Sequence, residues 1–318
     1  MLSYVTFAAK LILNIHDLNN ETVAGNVTDI RMMEFVRPDG SRDEAPAVSG
    51  RMVKHWHQYA MTKLALEKGL PLCDGCRACE PIRPGKIIKG KLEQISIPES
   101  EALRGCVICD THGFLIAKGA KSEEKGAKGI SSRRTSRAQF SWLIPVIGTE
   151  APSKQVLHTR VSQQEEIASG EGAAQMLFSK SYASGVYALV AALDAERIGF
   201  AETSLLTGNE PYVLDEDERK ERINAAIDAF RLLLSGQIGA SLSHAVPHMD
   251  IVELMVAYHK ESPLPFPVSP MYDNYLEKTE GLMTEGTRLL YFGDGEPEGT
   301  KKFGTIDNLF EEVISQLD

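Results

Sequence analysis

No run of about 18 apolar residues occurs in this 318-residue sequence, so it holds no segment able to cross a bilayer as a single helix. Also missing are a Gly-x-x-x-x-Gly-Lys-Ser/Thr phosphate loop, a Gly-x-Ser-x-Gly elbow and a His-Glu-x-x-His pair, and with them the recognisable machinery of nucleotide hydrolysis, acyl transfer and metalloprotease chemistry. Met1 to Ile15 carry one lysine in an alternating pattern without the basic, apolar, small-residue order of a secretory signal, which points to the cytosol. There is no long-period repeat or low-complexity tract. Positive charge is in deficit as well: Lys and Arg number 34 against 44 Asp and Glu, a net charge of −10. That total opposes a broadly cationic nucleic-acid binder but says nothing of local patches. Acidic residues gather from Asp215 to Glu221 and from Glu296 to Asp318. Lys118 to Arg137, by contrast, holds four lysines and three arginines against Glu123 and Glu124, a candidate cationic track.

What is present is ordinary globular material, 43% hydrophobic and 25% charged, long enough for two domains or for one domain with insertions, the organisation expected here. Val5, Phe7, Ala9, Leu11, Leu13 and Ile15 occupy alternate positions, a strand with one apolar face, and Thr6, Lys10, Asn14 and His16 line the other. Asp17 to Ala45, with Asn19-Asn20, Gly25-Asn26 and Pro38-Asp39-Gly40, reads as a long loop. Ser49 is placed to cap a helix running to about Lys68, with Gly69 to end it. Val53, Trp56, Ala60 and Leu64 share one side of that helix; Arg51, Lys54, His55, Gln58 and Thr62 share the other, either a solvated face or a binding face. Gly113 to Gly129 reads as a mobile loop, Ala138 to Ile147 as strand, and His158 to Gly185 as an insertion from the sheet. Val186 to Leu193 is apolar on both faces, a buried central strand. Asp215 and Glu218 form a capping box for a helix continuing through Ile223, Ile227, Phe230 and Leu234 to Gly236, and Ile251 to Tyr258 is another strand. Strand, helix, strands, helix, strand is the order of an α+β, ferredoxin-like or RRM-like βαββαβ sheet.

All five cysteines lie between Cys73 and Cys109. Cys73, Cys76, Cys106 and Cys109 make two Cys-x-x-Cys knuckles, each able to offer two thiolates to one tetrahedral ion; the expectation is structural zinc, with free structural thiols as the alternative. Cys79 can replace Cys76, and His112 is a weaker spare. Four ligands close such a site, so the ion would stabilise the fold and leave no position for an activated water. A zinc nucleobase deaminase, the leading enzyme alternative, needs His-x-Glu upstream of Pro-Cys-x-x-Cys. Here Leu72 precedes Cys73, and His55-Trp56-His57 has no paired Glu. A dispersed active site using Asp29, His158 or His244 is open, although single residues of this kind usually hydrogen-bond structurally. Candidate RNA-binding residues are His16, Ser49, Gly50, Arg51, Lys54 and His55 around the first helix, Arg133, Arg134 and Arg137, and a small-residue loop with Gly239, Ser241, Ser243 and His244.

Several strings together resemble one family. They are Pro46-Ala47-Val48-Ser49-Gly50-Arg51-Met52-Val53-Lys54-His55-Trp56-His57, Cys106-Val107-Ile108-Cys109-Asp110-Thr111-His112-Gly113-Phe114-Leu115, Arg133-Arg134-Thr135-Ser136, Phe140-Ser141-Trp142-Leu143-Ile144-Pro145-Val146, Gln175-Met176-Leu177-Phe178 and Tyr182-Ala183-Ser184-Gly185-Val186-Tyr187. In this order, from about Tyr4 to Tyr258, they are similar to the DevR or archaeal autoregulator family of CRISPR-associated backbone proteins, closest to type I-A. The resemblance implies a right-hand shape in a single domain over 1–318. The palm would be ferredoxin-like, with a zinc-knuckle-like finger insertion at 70–130 and a thumb hairpin at 158–185. The second half of the palm would follow at 186–260 and a palm-covering segment at 261–318. It further implies a protein that is not an enzyme. Copies would stack head to tail along the spacer of a CRISPR RNA within the Cascade surveillance complex, presenting the guide to target DNA in antiviral defence beside other Cascade subunits and a recruited helicase-nuclease, with no membrane partner. A backbone subunit with RNA endonuclease activity, using an acidic residue such as Asp29 in the loop after the first strand, is the closest alternative within the resemblance.

Overall fold

The computed structural model describes residues 1–18, 20–23, 27–116, 121–122, 131–160, 176–236 and 246–317. Strand β1 (Tyr4–His16) is the central strand. Val5, Phe7, Ala9, Leu11 and Leu13 point one way and are at most 4% exposed, as the alternation predicts. Ile15, expected on the same face, is instead 59% exposed, because it takes φ 59° where the pairing register with the neighbouring strand shifts, and His16 turns inward in its place. Thr6 and Ala8 on the opposite face are buried too, because Ala8 packs with Met255, Tyr275 and Tyr291 from the C-terminal third.

The stretch expected to be a loop instead contains two hairpins, β2 (Asn20–Val23) with β3 (Val27–Ile30) and β4 (Met32–Val36) with β5 (Arg42–Pro46). Pro38-Asp39-Gly40 is the tip of the second: Gly40 takes φ 84° and the Asp39 carboxylate accepts the Ser41 amide at 2.9 Å. The turn residues were therefore legible, while the strands they join, Met-Met-Glu-Phe-Val and Arg-Asp-Glu-Ala-Pro, are short and carry no regular apolar alternation.

Helix α1 (Gly50–Lys68) begins at Ser49, whose hydroxyl accepts the Met52 amide at 3.3 Å, and stops at Gly69 with φ 70°. Its second face departs from the sequence expectation, since Gln58 and Thr62 are 4% and 2% exposed. An insertion follows, made up of α2 (Asp74–Arg77), β6 (Gly85–Ile88), β7 (Lys91–Ser96), α3 (Glu99–Gly105), α4 (Val107–His112), β8 (Phe114–Ile116), β9 (Lys121–Ser122) and β10 (Ser132–Arg134), with its own small sheets β6-β7-β9 and β8-β10. Its α2 and α4 meet that face of α1.

The chain returns to the main sheet through β11 (Ala138–Phe140), β12 (Ile144–Pro145) and β13 (Lys154–Arg160), all antiparallel to the 19-residue β14 (Met176–Asp194). β14 is one continuous strand: its first part pairs with β13 as a ribbon and its second, from Ala183, pairs with β1. Gly185 does not interrupt it and sits opposite Leu13. Then follow α5 (Glu202–Thr207), α6 (Glu216–Leu234) with the Asp215/Glu218 capping box in place, β15 (His248–His259), α7 (Tyr275–Glu280), β16 (Arg288–Phe292), β17 (Thr300–Phe303) and α8 (Ile306–Ile314).

The sheet runs β17-β16-β15-β1-β14-β3-β2, and it is mixed, with β16–β17 and β14–β3 parallel. α1, α6 and α8 cover one face through a common core in which Phe7 stacks on Phe230 at 4.3 Å and on Phe310 at 6.0 Å. Each such fully buried ring contributes roughly 1.5–3 kcal/mol of transfer free energy. This packing fixes the N-terminus of α1 against the sheet edge.

Candidate nucleic-acid interface and metal centre

Val48 and Leu143 exchange backbone hydrogen bonds of 3.0 and 2.9 Å, which pins the start of α1 beside Trp142. Gly50 then passes so close to β11 that a Cβ would lie 2.8 Å from the Phe140 carbonyl oxygen, so the helix enters at this spacing only with glycine. The result is an open groove of about 570 Å³ lined by Arg31, Arg51, Lys54, Ser136, Gln139 and Trp142. Arg51 is exposed. The Arg31 guanidinium lies 5.8 Å from the centroid of the Trp142 ring. Lys54 is half-buried and donates to the His112 carbonyl at 3.0 Å; burial, with a smaller contribution from the charge of Arg83, lowers its pKa to about 8. The Met52 amide in the first turn of α1 is taken by Ser49, and the helix start carries the positive end of the helix dipole. Cations, a helix start and an aromatic ring in one groove suit a phosphate backbone with an unstacked base.

Other sequence candidates are placed elsewhere. His55 is exposed on α1 but does not line this groove, and Arg133 is exposed in a separate cleft between α3, β10 and α5. Arg134 and Arg137 are only 4% and 3% exposed, which corrects the reading of a cationic track. Arg134 ion-pairs with Glu99 at 3.1 Å and with Asp110, and it also donates to the carbonyls of Phe200 and Arg197. Arg222 of α6 reaches the same Asp110 at 3.1 Å. Arg137 pairs with Glu202 at 2.8 Å. These guanidinium groups tie α3, α4, α5, α6 and β10 together and are not offered to a ligand. His16 is also withdrawn: it is fully buried, its Nδ1 accepts the Leu18 amide, and its Nε2 therefore donates to the Tyr187 hydroxyl at 2.9 Å. Burial pushes its pKa down to about 4 against the opposing pull of Asp17. Gly239, Ser241, Ser243 and His244 lie outside the described residues.

The second constellation is the cysteine cluster. Cys73 caps α2 and Cys76 lies inside it; Cys106 caps α4 and Cys109 lies inside it, so one turn of helix aims each pair of sulfurs the same way. All four Sγ atoms fall within 4.8 Å of one another, with Cys73–Cys109 at 3.9 Å and Cys76–Cys109 at 4.0 Å. Sulfur–sulfur edges of about 3.8 Å are what a tetrahedral ion with metal–sulfur bonds of about 2.3 Å requires. The Gly85 amide donates to Cys73 Sγ at 3.5 Å and the Cys109 amide to Cys106 Sγ at 3.3 Å, which favours thiolate. The thiols around Cys73, Cys106 foremost, hold it well below the usual thiol range. The residues present therefore fit a soft metal ion. Cys79 is not one of the four, and the His112 ring is turned away, its Nε2 3.0 Å from His57 Nδ1.

Sequence reasoning missed Arg31 and Trp142 as groove residues. Trp142 stood inside one of the family-like strings, but 111 positions separate it from Arg31, and the two are brought together by the backbone pairing of Arg31 with Ala47 and of Val48 with Leu143.

A family model described as "CRISPR-associated negative auto-regulator DevR/Csa2" matches residues 7–280. A Methanocaldococcus jannaschii protein named "CRISPR-associated protein Cas7/Cst2/DevR" is 31% identical over 335 residues, covering 99% of this chain and 98% of that one. "CRISPR-associated aCascade subunit Cas7/Csa2 2" of Saccharolobus solfataricus is 27% identical over 337 residues, covering 99% of each. A solved structure titled "CRISPR RNA-guided surveillance complex" contains a chain similar in fold, with a TM-score of 0.56 at 11% identity over 99% of this chain and 100% of that one.

Proposed function

Because this chain belongs to the CRISPR-associated DevR/Csa2 family, we propose that it is a non-catalytic RNA-binding backbone subunit of a type I-A Cascade complex. Copies stack head to tail along the spacer of a CRISPR RNA in the cytoplasm. They present it for pairing with target DNA beside other Cascade subunits and a recruited helicase-nuclease. The protein grips backbone and shape, and base pairing reads the sequence. The observation that carries this reading is the groove at the start of α1, lined by Arg31, Arg51, Lys54 and Trp142.

The order β15-β1-β14-β11, with α1 between β1 and β11 and α6 between β14 and β15, supports a ferredoxin-like palm. On that reading residues 70–130 are the finger, the β13–β14 ribbon belongs to the thumb, and 261–318 cover and extend the palm. The four-cysteine centre takes zinc, closed and structural. A closed shell has no place for the water that a deaminase activates. Asp29 accepts the amide of its neighbour Ile30 at 2.9 Å, an ordinary local role, which favours presentation over RNA cleavage.

The test is native mass spectrometry of the protein with unmodified CRISPR RNAs of increasing spacer length. The number of protomers per RNA rises with length. A single protomer at every length contradicts the reading.

A further inference from the structure

The cysteine centre and the groove meet in α4. This helix has six residues, Val107 to His112, too few to hold its shape unaided, so its position is set by what grips it. At its N-terminal end are Cys106 and Cys109, two of the four clustered sulfurs. At its other end the His112 carbonyl accepts Lys54 Nζ and the His112 ring meets His57, three residues further along α1. The Thr111 carbonyl accepts the Arg137 amide at 2.7 Å and the Ser136 hydroxyl at 3.5 Å, and Ser136 also lines the groove. The other knuckle is tied to the same helix, because Thr62 donates to the Cys76 carbonyl at 3.4 Å. Pro71, just before that knuckle, accepts the Val107 amide at 2.9 Å. Gly113, which ends α4 with φ 71°, lies so close to the Arg134 carbonyl oxygen that a Cβ would approach to 2.2 Å. Lys54 and Ser136, two residues that line the groove, therefore both hang on one short helix whose other end carries two of the four clustered sulfurs.

We infer that the four-cysteine centre is a positioning element for the groove, so that a bound soft divalent cation fixes α4 and through it Lys54 and Ser136, coupling metal occupancy to RNA affinity. This rests on the reading of the groove as the RNA site. The coupling is reciprocal by linkage: if metal tightens RNA binding, RNA tightens metal binding by the same factor. Cys106 and Cys109 act through Lys54 and Ser136 and do not themselves meet RNA.

The experiment uses full-length protein loaded with zinc and an unmodified 30-nucleotide RNA. A colorimetric chelator competes for the zinc with and without saturating RNA, and RNA affinity is measured with and without zinc. The expected result is an RNA-dependent gain in zinc affinity of about tenfold, matched by an equal gain in RNA affinity on adding zinc back, and a markedly smaller gain in both for Lys54→Ala. The Lys54→Ala arm separates positioning from a merely stabilising metal, because a folding effect of zinc persists in that variant. Equal zinc affinity with and without RNA, or an undiminished gain in Lys54→Ala, overturns the inference while leaving the RNA groove standing. Failure of the chain to take up zinc overturns it as well. Loss of RNA binding by the zinc-loaded protein overturns the groove reading itself, and the inference falls with it.

Discussion

Arg222 of α6 and Asp110 of α4, 112 residues apart in sequence, meet at 3.1 Å in a site where both side chains are at most 1% exposed. Arg134 takes the other carboxylate oxygen of Asp110, and the Gly199 amide donates to both oxygens at 3.1 Å. One buried carboxylate thus joins the insertion to α6 and to the segment before α5.

Removing that carboxylate strands two guanidinium groups in the interior. Asp110→Ala is expected to cost about 3–5 kcal/mol of stability, the usual result of breaking a buried pair by deleting one partner. Urea denaturation measures it. A loss below about 1 kcal/mol would mean that the arginines find water or other partners when Asp110 is gone.

Stability is expected to fall as acid is added, for a reason tied to named imidazoles. Burial pushes His57 down to about 3 and His16 down to about 4, from an ordinary value of 6.5. Below pH 6.5 the unfolded chain takes up protons that the folded chain refuses, so stability is lost as pH falls from 6.5 toward those values. Each imidazole contributes up to about 1.4 kcal/mol per pH unit in that window. His57→Gln, which keeps a donor for the Ala226 carbonyl, should flatten the slope by that amount when unfolding is followed at several pH values. Parallel slopes for the two chains would contradict it.

Two glycines on α1 separate groove geometry from helix capping. Gly50→Ala forces a Cβ to 2.8 Å from the Phe140 carbonyl oxygen, so the helix start must shift; a loss of about 1–3 kcal/mol in stability is expected, with weakened RNA binding. Gly69→Ala meets nothing within 4 Å and bears only left-handed backbone strain at φ 70°, about 1 kcal/mol, with RNA affinity unchanged. Equal RNA affinities for the two variants would remove the helix start from the interface.

Among the cysteines, Cys76→Ser is expected to abolish stoichiometric metal binding, and Cys79→Ser to preserve it, because only Cys76 stands among the four clustered sulfurs. Metal content of the purified chains, by elemental analysis, decides. Loss of metal in Cys79→Ser with retention in Cys76→Ser would reverse the ligand assignment.

Local rules made the frame legible. Ser49 and Gly69 bounded α1, Asp215 and Glu218 capped α6, the odd residues of β1 from Val5 to Leu13 faced the core, and the two Cys-x-x-Cys knuckles converged. What could not be read depends on partners distant in sequence. Arg133, Arg134 and Arg137 look alike in a basic string, yet Arg134 and Arg137 turn inward to Glu99, Asp110 and Glu202, 24 to 65 residues away, while Arg133 faces solvent. Gln58 and Thr62 looked solvated on a helical wheel because a wheel does not show what an insertion will cover. Arg31 and Trp142 carried no local signal and became a pair through the backbone pairing of Arg31 with Ala47 and of Val48 with Leu143.

The central claim is that the groove holds the RNA backbone, and the dependence of binding on salt tests it most directly. Affinity for an unmodified single-stranded RNA would be measured at several salt concentrations for the natural chain, for Arg51→Ala with Lys54→Ala, and for Trp142→Ala. The account predicts a log–log slope shallower by about 0.7 for each lost phosphate contact, about 1.4 in the double variant. Trp142→Ala should weaken binding by about 1–3 kcal/mol with its slope unchanged, since stacking releases no counterions. A double variant that binds with the same affinity and the same slope as the natural chain would contradict the account.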